Sequence, residues 1–196
     1  MGYKVALVNL GKSVDDTTQK KVTSLLGTPS GFFETVVKKY DSDFNKGTAY
    51  GSADVYWTDT TPTVANHELI IYFVRNVGDS VVKHMSGVTA PSGKVAGMTA
   101  PDVGTPVGSE VFVSEAKDAG DLAAIAFHEA MHNKLRWNDV KLHGKDGGGG
   151  LAAATVDSTT KLTDTNRDLM AKHLADNVPQ WNDGVTQYAA PFNNHI

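Results

Sequence analysis

Apolar and polar positions fall into two periods along this chain, and the switches between them mark its elements. Lys4–Leu10 (KVALVNL) is a short apolar run closed by Gly11, which predicts a buried strand. From Asp15 to Tyr40 the period is helical. Val22, Leu25 and Leu26 form a stripe, Gly27-Thr-Pro-Ser-Gly31 interrupts it, and Phe32, Phe33, Val36, Val37 and Tyr40 resume it. Ala53–Asp59 alternates Val55 and Trp57 against Tyr56 and Thr58, as a strand does. His67–Asn76 contains Leu69–Val74, a continuous β-prone run suited to a central strand. Ser86–Gly108 carries five glycines and three prolines and predicts a long surface loop or loose hairpin, in which Gly87-Val-Thr-Ala-Pro91 is echoed by Gly97-Met-Thr-Ala-Pro101. Glu110–Glu115 (EVFVSE) alternates again, predicting a strand with one face to solvent.

Asp118–Trp137 predicts a helix whose first half, Leu122–Phe127, is apolar nearly all round, the pattern of a helix buried within a domain. Lys145–Gly150 reads as a flexible turn and Leu151–Val156 as a short apolar segment. Thr163–Val178 predicts a last amphipathic helix, capped by Thr163 or Asp164 and ended by Pro179. Strands grouped before helices predict an α+β fold. The expected division is a mixed sheet lobe with a buried helix over about residues 1–137, and a small helical and loop lobe over about 138–196. Together they make a single domain, 1–196.

Composition narrows the chemistry more than the fold. At 196 residues, 40% hydrophobic and 20% charged, the chain can bury a core without staples. Eighteen basic against 22 acidic residues give a net charge of −4 with no basic run, which argues against nucleic acid as a partner. Absence of cysteine excludes disulfides, thiolate ligands and thiol nucleophiles, so any metal must be held by imidazole or carboxylate. The longest apolar run near the start, Val5-Ala-Leu-Val8, is too short for a signal h-region or a membrane span. The sequence therefore assigns no compartment and leaves export by a non-classical route open.

The chemistry is concentrated in His128-Glu129-Ala-Met-His132, an HExxH pattern inside the predicted buried helix. A shuffled chain of this composition would carry it about 0.006 times. Two histidines four apart project from one helical face and can share a zinc ion, and the adjoining glutamate is placed to take a proton from water at the metal. A catalytic site needs a third protein ligand. No glutamate follows Glu129, which leaves His143, Asp139, Asp146, Asp157 or a more remote group. A helix running to Trp137 would carry Asp139 about 10 Å beyond His132 along the axis, too far for a shared metal. His143 has Asp139–Leu142 in which to turn back and Gly144 after it, so His143 is the preferred third ligand, with the three aspartates as alternatives.

The HExxH helix, the order of strand, helix and three strands before it, and the short final lobe resemble the metzincin branch of the zinc metallopeptidases, the zincins. Leu135 and Asn138 stand where that family has its glycine and its third ligand, so His143 is reached by a longer spacing. The resemblance implies a zincin-like fold, a bound Zn2+ and a peptide or protein substrate. It also implies that Glu129, as general base, passes a proton from water to the leaving amine. The strand before the active helix, Glu110–Glu115, would be an edge strand that pairs with an extended peptide. The expected activity is that of a metalloendopeptidase. Two other readings stay open: a catalytically idle zincin-like module, and a zinc hydrolase acting on peptidoglycan cross-links.

Other features carry less. Tyr188 is a candidate for stabilising an oxyanion. His67, His84, His173 and His195 lack ligand spacing. Asp41, Asp43 and Asn45 open like a calcium loop without its glycine and glutamate, and read as a solvated turn. The Gly147–Gly150 run lets the chain pass close beneath the metal, and Trp137 is placed to border the cleft.

Overall fold

Five strands form one sheet: β1 (Tyr3–Asn9), β2 (Ala53–Thr58), β3 (Leu69–Val74), β4 (Gly97–Ala100) and β5 (Gly108–Phe112), in the order β2-β1-β3-β5-β4. The computed structural model describes residues 2–45, 47–65, 68–81, 95–100 and 107–181. β1 pairs parallel with β2 and β3, β3 pairs parallel with β5, and β4 alone runs antiparallel, against β5. Among the described residues there are five α-helices: α1 (Asp16–Leu26), α2 (Phe32–Lys39), α3 (Ala119–Leu135), α4 (Asp139–Leu142) and α5 (Asp164–His173). The fold is α+β with a mixed sheet.

The continuous apolar runs of β1 and β3 are explained by burial on both faces. Tyr3, Val5, Leu7, Leu69, Ile71 and Phe73 point into the main core with α1, α2 and α3. Ala6, Val8, Ile70 and Tyr72 face a smaller cluster under Tyr56, Val64, Val81 and Trp181. α3 crosses the main core, and every residue from Asp121 to Leu135 is buried. Phe127 wedges between Phe32 and Phe33, with ring centroids 5.5 and 5.1 Å away. Burying such a ring is worth about 1.5–3 kcal/mol, so α3 is held by packing and not by propensity alone.

Four expectations fail for identifiable reasons. The strand expected at Glu110–Glu115 with a wet face is β5, shifted to Gly108–Phe112 and buried at every residue. Its polar side chains are tolerated inside because they find partners. The Glu110 carboxylate accepts from the Ser80 hydroxyl and, at 3.0 Å, from the Val81 N–H. Ser109 accepts from Asn133 at 2.9 Å. The edge belongs instead to β4, a four-residue strand within the stretch expected to be a surface loop or loose hairpin, and its antiparallel pairing with β5 agrees with the hairpin alternative. The rest of that stretch falls largely outside the described residues.

The third concerns the end of α3. It stops at Leu135, not Trp137, because Arg136 turns into the left-handed region at φ 52° and ψ 35°. A non-glycine residue there costs about 1–2 kcal/mol, so no helix-stop signal is visible in the sequence. The last helix is also shorter than Thr163–Val178. α5 runs from Asp164 to His173, with Thr163 and Asn166 forming a reciprocal capping box.

Candidate metal centre

His128 and His132 lie one turn apart on the buried face of α3, and α4 brings His143 to them. The three histidines present ring nitrogens that all lie within 4.8 Å of one another. His128 Nε2 is 3.2 Å from His132 Nε2 and 3.2 Å from His143 Nε2. His128 Nδ1 donates to the Leu151 carbonyl at 2.8 Å, and His132 Nδ1 donates to the Trp137 carbonyl at 2.7 Å. A carbonyl can only accept, so both Nδ1 atoms carry the hydrogen and both Nε2 atoms present lone pairs to each other. Two lone pairs facing at 3.2 Å repel unless a cation lies between them. Burial, followed by the neighbouring His132, pushes the His128 imidazole down to about 3, and burial lowers His132 as well. Neutral imidazoles are the form that binds metal. The donor set therefore fits a metal ion.

The carbonyls that orient the rings come from two turns that periodicity does not reveal. Arg136's left-handed turn swings the Trp137 carbonyl back onto His132. The Leu151 carbonyl is delivered by the glycine run: Gly148, Gly149 and Gly150 all have positive φ (76°, 64° and 56°), and a Cβ on Gly147 would sit 1.8 Å from the Leu142 carbonyl oxygen. Asn166, fully buried on α5, ties this loop down. Its Nδ2 donates to the Gly147 and Gly149 carbonyls at 2.7 and 2.9 Å, and its Oδ1 accepts from Leu151 N at 3.0 Å. Sequence reading missed Asn166, since its only local signal was its place three residues after the cap Thr163.

Glu129 is buried beside the cluster. Its Oε2 accepts from the Thr99 hydroxyl at 2.7 Å, and Thr99 Oγ1 lies 2.9 Å from Ser109 Oγ. Burial pushes the Glu129 carboxyl up to about 8; the Thr99 hydroxyl opposes that, while Asp139 and Glu110 add to it. A Cβ on Gly97 would meet Glu129 Oε1 at 2.6 Å, so β4 can approach the carboxylate this closely only with glycine there. A cleft of about 410 Å3 opens on the cluster. β4 and its lead-in, Val95–Thr99, line one wall; Ile125, Ala154, Thr155 and Val156 line the rest, with His128, Glu129, His132, Asp139 and His143 facing the same space.

The aspartates separate clearly. Because α3 ends early, Asp139 is not out of reach as its spacing suggested. Its Oδ1 lies 3.4 Å from His132 Nε2 and 3.9 Å from His143 Nε2. Asp146 is exposed in the turn after His143, and Asp157 instead accepts from Thr159 and Thr160. Trp137 does not line the cleft; its ring lies under the Lys141 ammonium, 4.3 Å away. His173 pairs with Asp176 at 2.7 Å on the surface. Asp41 accepts from Tyr50 N and Gly51 N, and Asp43 pairs with Lys39; both lie in a π-helical turn, Tyr40–Phe44, that continues α2, and not in an open loop. Tyr188, His67, His84 and His195 lie outside the described residues.

No family model, curated protein or solved structure matches this chain. Among the described residues, no helix is long and apolar enough to cross a membrane. What can be stated of the site is therefore what its geometry gives: three histidines able to hold a metal ion, a buried carboxylate next to them, and a cleft leading to both.

Proposed function

We propose that this chain is a zinc-dependent metalloendopeptidase with a zincin-like site in which His128, His132 and His143 hold the metal and Glu129 is the general base. The observation that carries the reading is the convergence of three Nε2 atoms beside a buried carboxylate at the end of a cleft whose wall is a sheet edge. Three histidines are a donor set that suits zinc, and bound zinc supplies Lewis acidity that polarises a carbonyl and lets water ionise near neutral pH. Glu129 accepts the proton of the attacking water and returns it to the leaving amine. Thr99 holds Glu129 in place, and the carbonyls of Leu151 and Trp137 hold the two helix imidazoles. β4, the edge strand among the described residues, offers backbone groups to an extended peptide, the part expected of Glu110–Glu115 before β5 proved to be internal.

Elemental analysis of chelator-free protein, followed by hydrolysis assays on peptide pools and on cell-wall fragments, tests the reading. About one zinc per chain and cleavage that Glu129→Gln abolishes while zinc is retained are expected. Zinc without cleavage of either substrate class overturns the enzyme. A second reading, a zincin-like module with a closed and catalytically idle site, is favoured by one observation: the approach of Asp139 to His132.

A further inference from the structure

Asp139 makes a contact that ordinary hydrogen bonding does not explain. Its Oδ1 is 3.4 Å from His132 Nε2, whose hydrogen is on the other nitrogen because Nδ1 donates to the Trp137 carbonyl. A carboxylate oxygen therefore faces a lone pair. The next nearest ring nitrogen, His143 Nε2, is 3.9 Å away and too far to donate. Donors that four-coordinate one ion at about 2.0–2.2 Å stand about 3.3–3.5 Å apart. The separations of 3.2 Å between His128 and His132, 3.2 Å between His128 and His143, and 3.4 Å between His132 and Asp139 fall near that value; His143 to Asp139, at 3.9 Å, is wider, and Asp139 stands outside the three ring nitrogens that lie within 4.8 Å of one another, so its carboxylate must swing inward to complete the set.

The chain builds this placement. Arg136's left-handed turn reverses direction after α3, and the Asn138 side chain caps α4 by accepting from Lys141 N at 3.0 Å, which sets Asp139 in the first turn. Asp139 faces the same cleft as Glu129. Its side chain is 32% exposed, so a rotamer change can withdraw it into solvent.

We propose that the Asp139 carboxylate is a fourth protein ligand of this centre, closing it at rest and giving way when a substrate group takes its position. This rests on the zinc reading above. It reconciles the two features that pull that reading apart, four protein donors as in a structural site and an intact base as in a catalytic one. Latency is then built into the chain between Arg136 and His143.

The test uses cobalt(II)-loaded full-length protein and azide as the probe, read by visible absorption. Azide must displace Asp139 in the unmutated protein and need not in Asp139→Ala, so the variant is expected to bind azide at least tenfold more tightly. Asp139→Asn, which keeps the volume and loses the charge, is expected to fall between them. A zinc-loaded crystal structure of the unmutated protein gives a check that needs no variant, with Asp139 Oδ1 expected about 2.0–2.2 Å from the metal. Equal azide affinities, or a water in the fourth position with Asp139 withdrawn, overturn the proposal while leaving the zinc site standing. Failure of the unmutated protein to take up either metal overturns the zinc reading, and this inference with it.

Discussion

The candidate centre is assembled from two unlike halves. His128 and His132 sit on α3, a seventeen-residue helix whose core face is closed on all sides, and only 6% of the His132 side chain is exposed. His143 and Asp139 sit at the two ends of α4, a four-residue helix, with 21% and 32% of their side chains exposed. A helix that short is not stable by itself. It is kept by the Asn138 cap and by Leu142, which is fully buried. One half is fixed by packing before any ligand arrives; the other is positioned by a turn and can shift. On the proposal above, in which the centre holds a metal and exchanges Asp139 for a substrate group, that division suits both tasks.

The largest expected effects come from the fixed half. His128→Ala removes the ring that meets both other histidines and should abolish metal binding. His143→Ala should weaken it strongly but less, because His128, His132 and the proposed Asp139 ligand remain. Competition against a chelator of known affinity measures both. Equal losses would erase the distinction between the halves.

The buried half was legible in the sequence and the more exposed half only partly so. Helical spacing dictates that residues four apart share a face, and the apolar run Leu122–Phe127 dictates burial, so His128, Glu129 and His132 could be placed without coordinates. His143 was reachable by counting residues. Asp139 stands only as an alternative to His143 in the sequence, because nothing in Leu135-Arg136-Trp137 signals a break and an arginine in the left-handed region cannot be read from propensity. The same limit left β4 unplaced within a stretch read as surface loop or loose hairpin. Four residues between glycine- and proline-rich flanks carry too little period to mark a strand, and only pairing with β5 makes them one. Edge and centre were exchanged for that reason: the alternation of Glu110–Glu115 suggested a wet face, where buried partners had satisfied its polar groups.

Asn166 offers a sharper cut between the halves, since it supports the fixed one from outside α3. Asn166→Ala removes donors to two loop carbonyls and the acceptor for Leu151 N. Several buried groups are left unpaired, at a cost of about 2–3 kcal/mol, measurable by urea unfolding of the metal-free protein. The Leu151 carbonyl then no longer holds His128, so metal affinity should drop about 10–100-fold as well. Loss of stability with unchanged affinity would show that α3 alone orients His128.

The smallest expected effect falls on the base. Thr99 is the contact through which the sheet edge reaches Glu129, with its hydroxyl 2.7 Å from Oε2, while Gly97 leaves room for the carboxylate. Thr99→Val keeps the shape and removes the hydroxyl. Glu129 keeps its burial and its place on α3 but loses the bond that fixes its rotamer, an interaction worth about 1.4 kcal/mol. On a peptide that the unmutated protein cleaves, kcat should fall about tenfold with KM nearly constant, because binding to the edge is untouched. Thr99→Ser restores the hydroxyl and should recover most of the loss, which a packing defect would not allow. Zinc content should be the same in all three proteins. Were kcat unchanged in Thr99→Val, the fixed half would extend to Glu129 without help from the edge, and the boundary between rigid and adjustable parts would lie between α3 and β4.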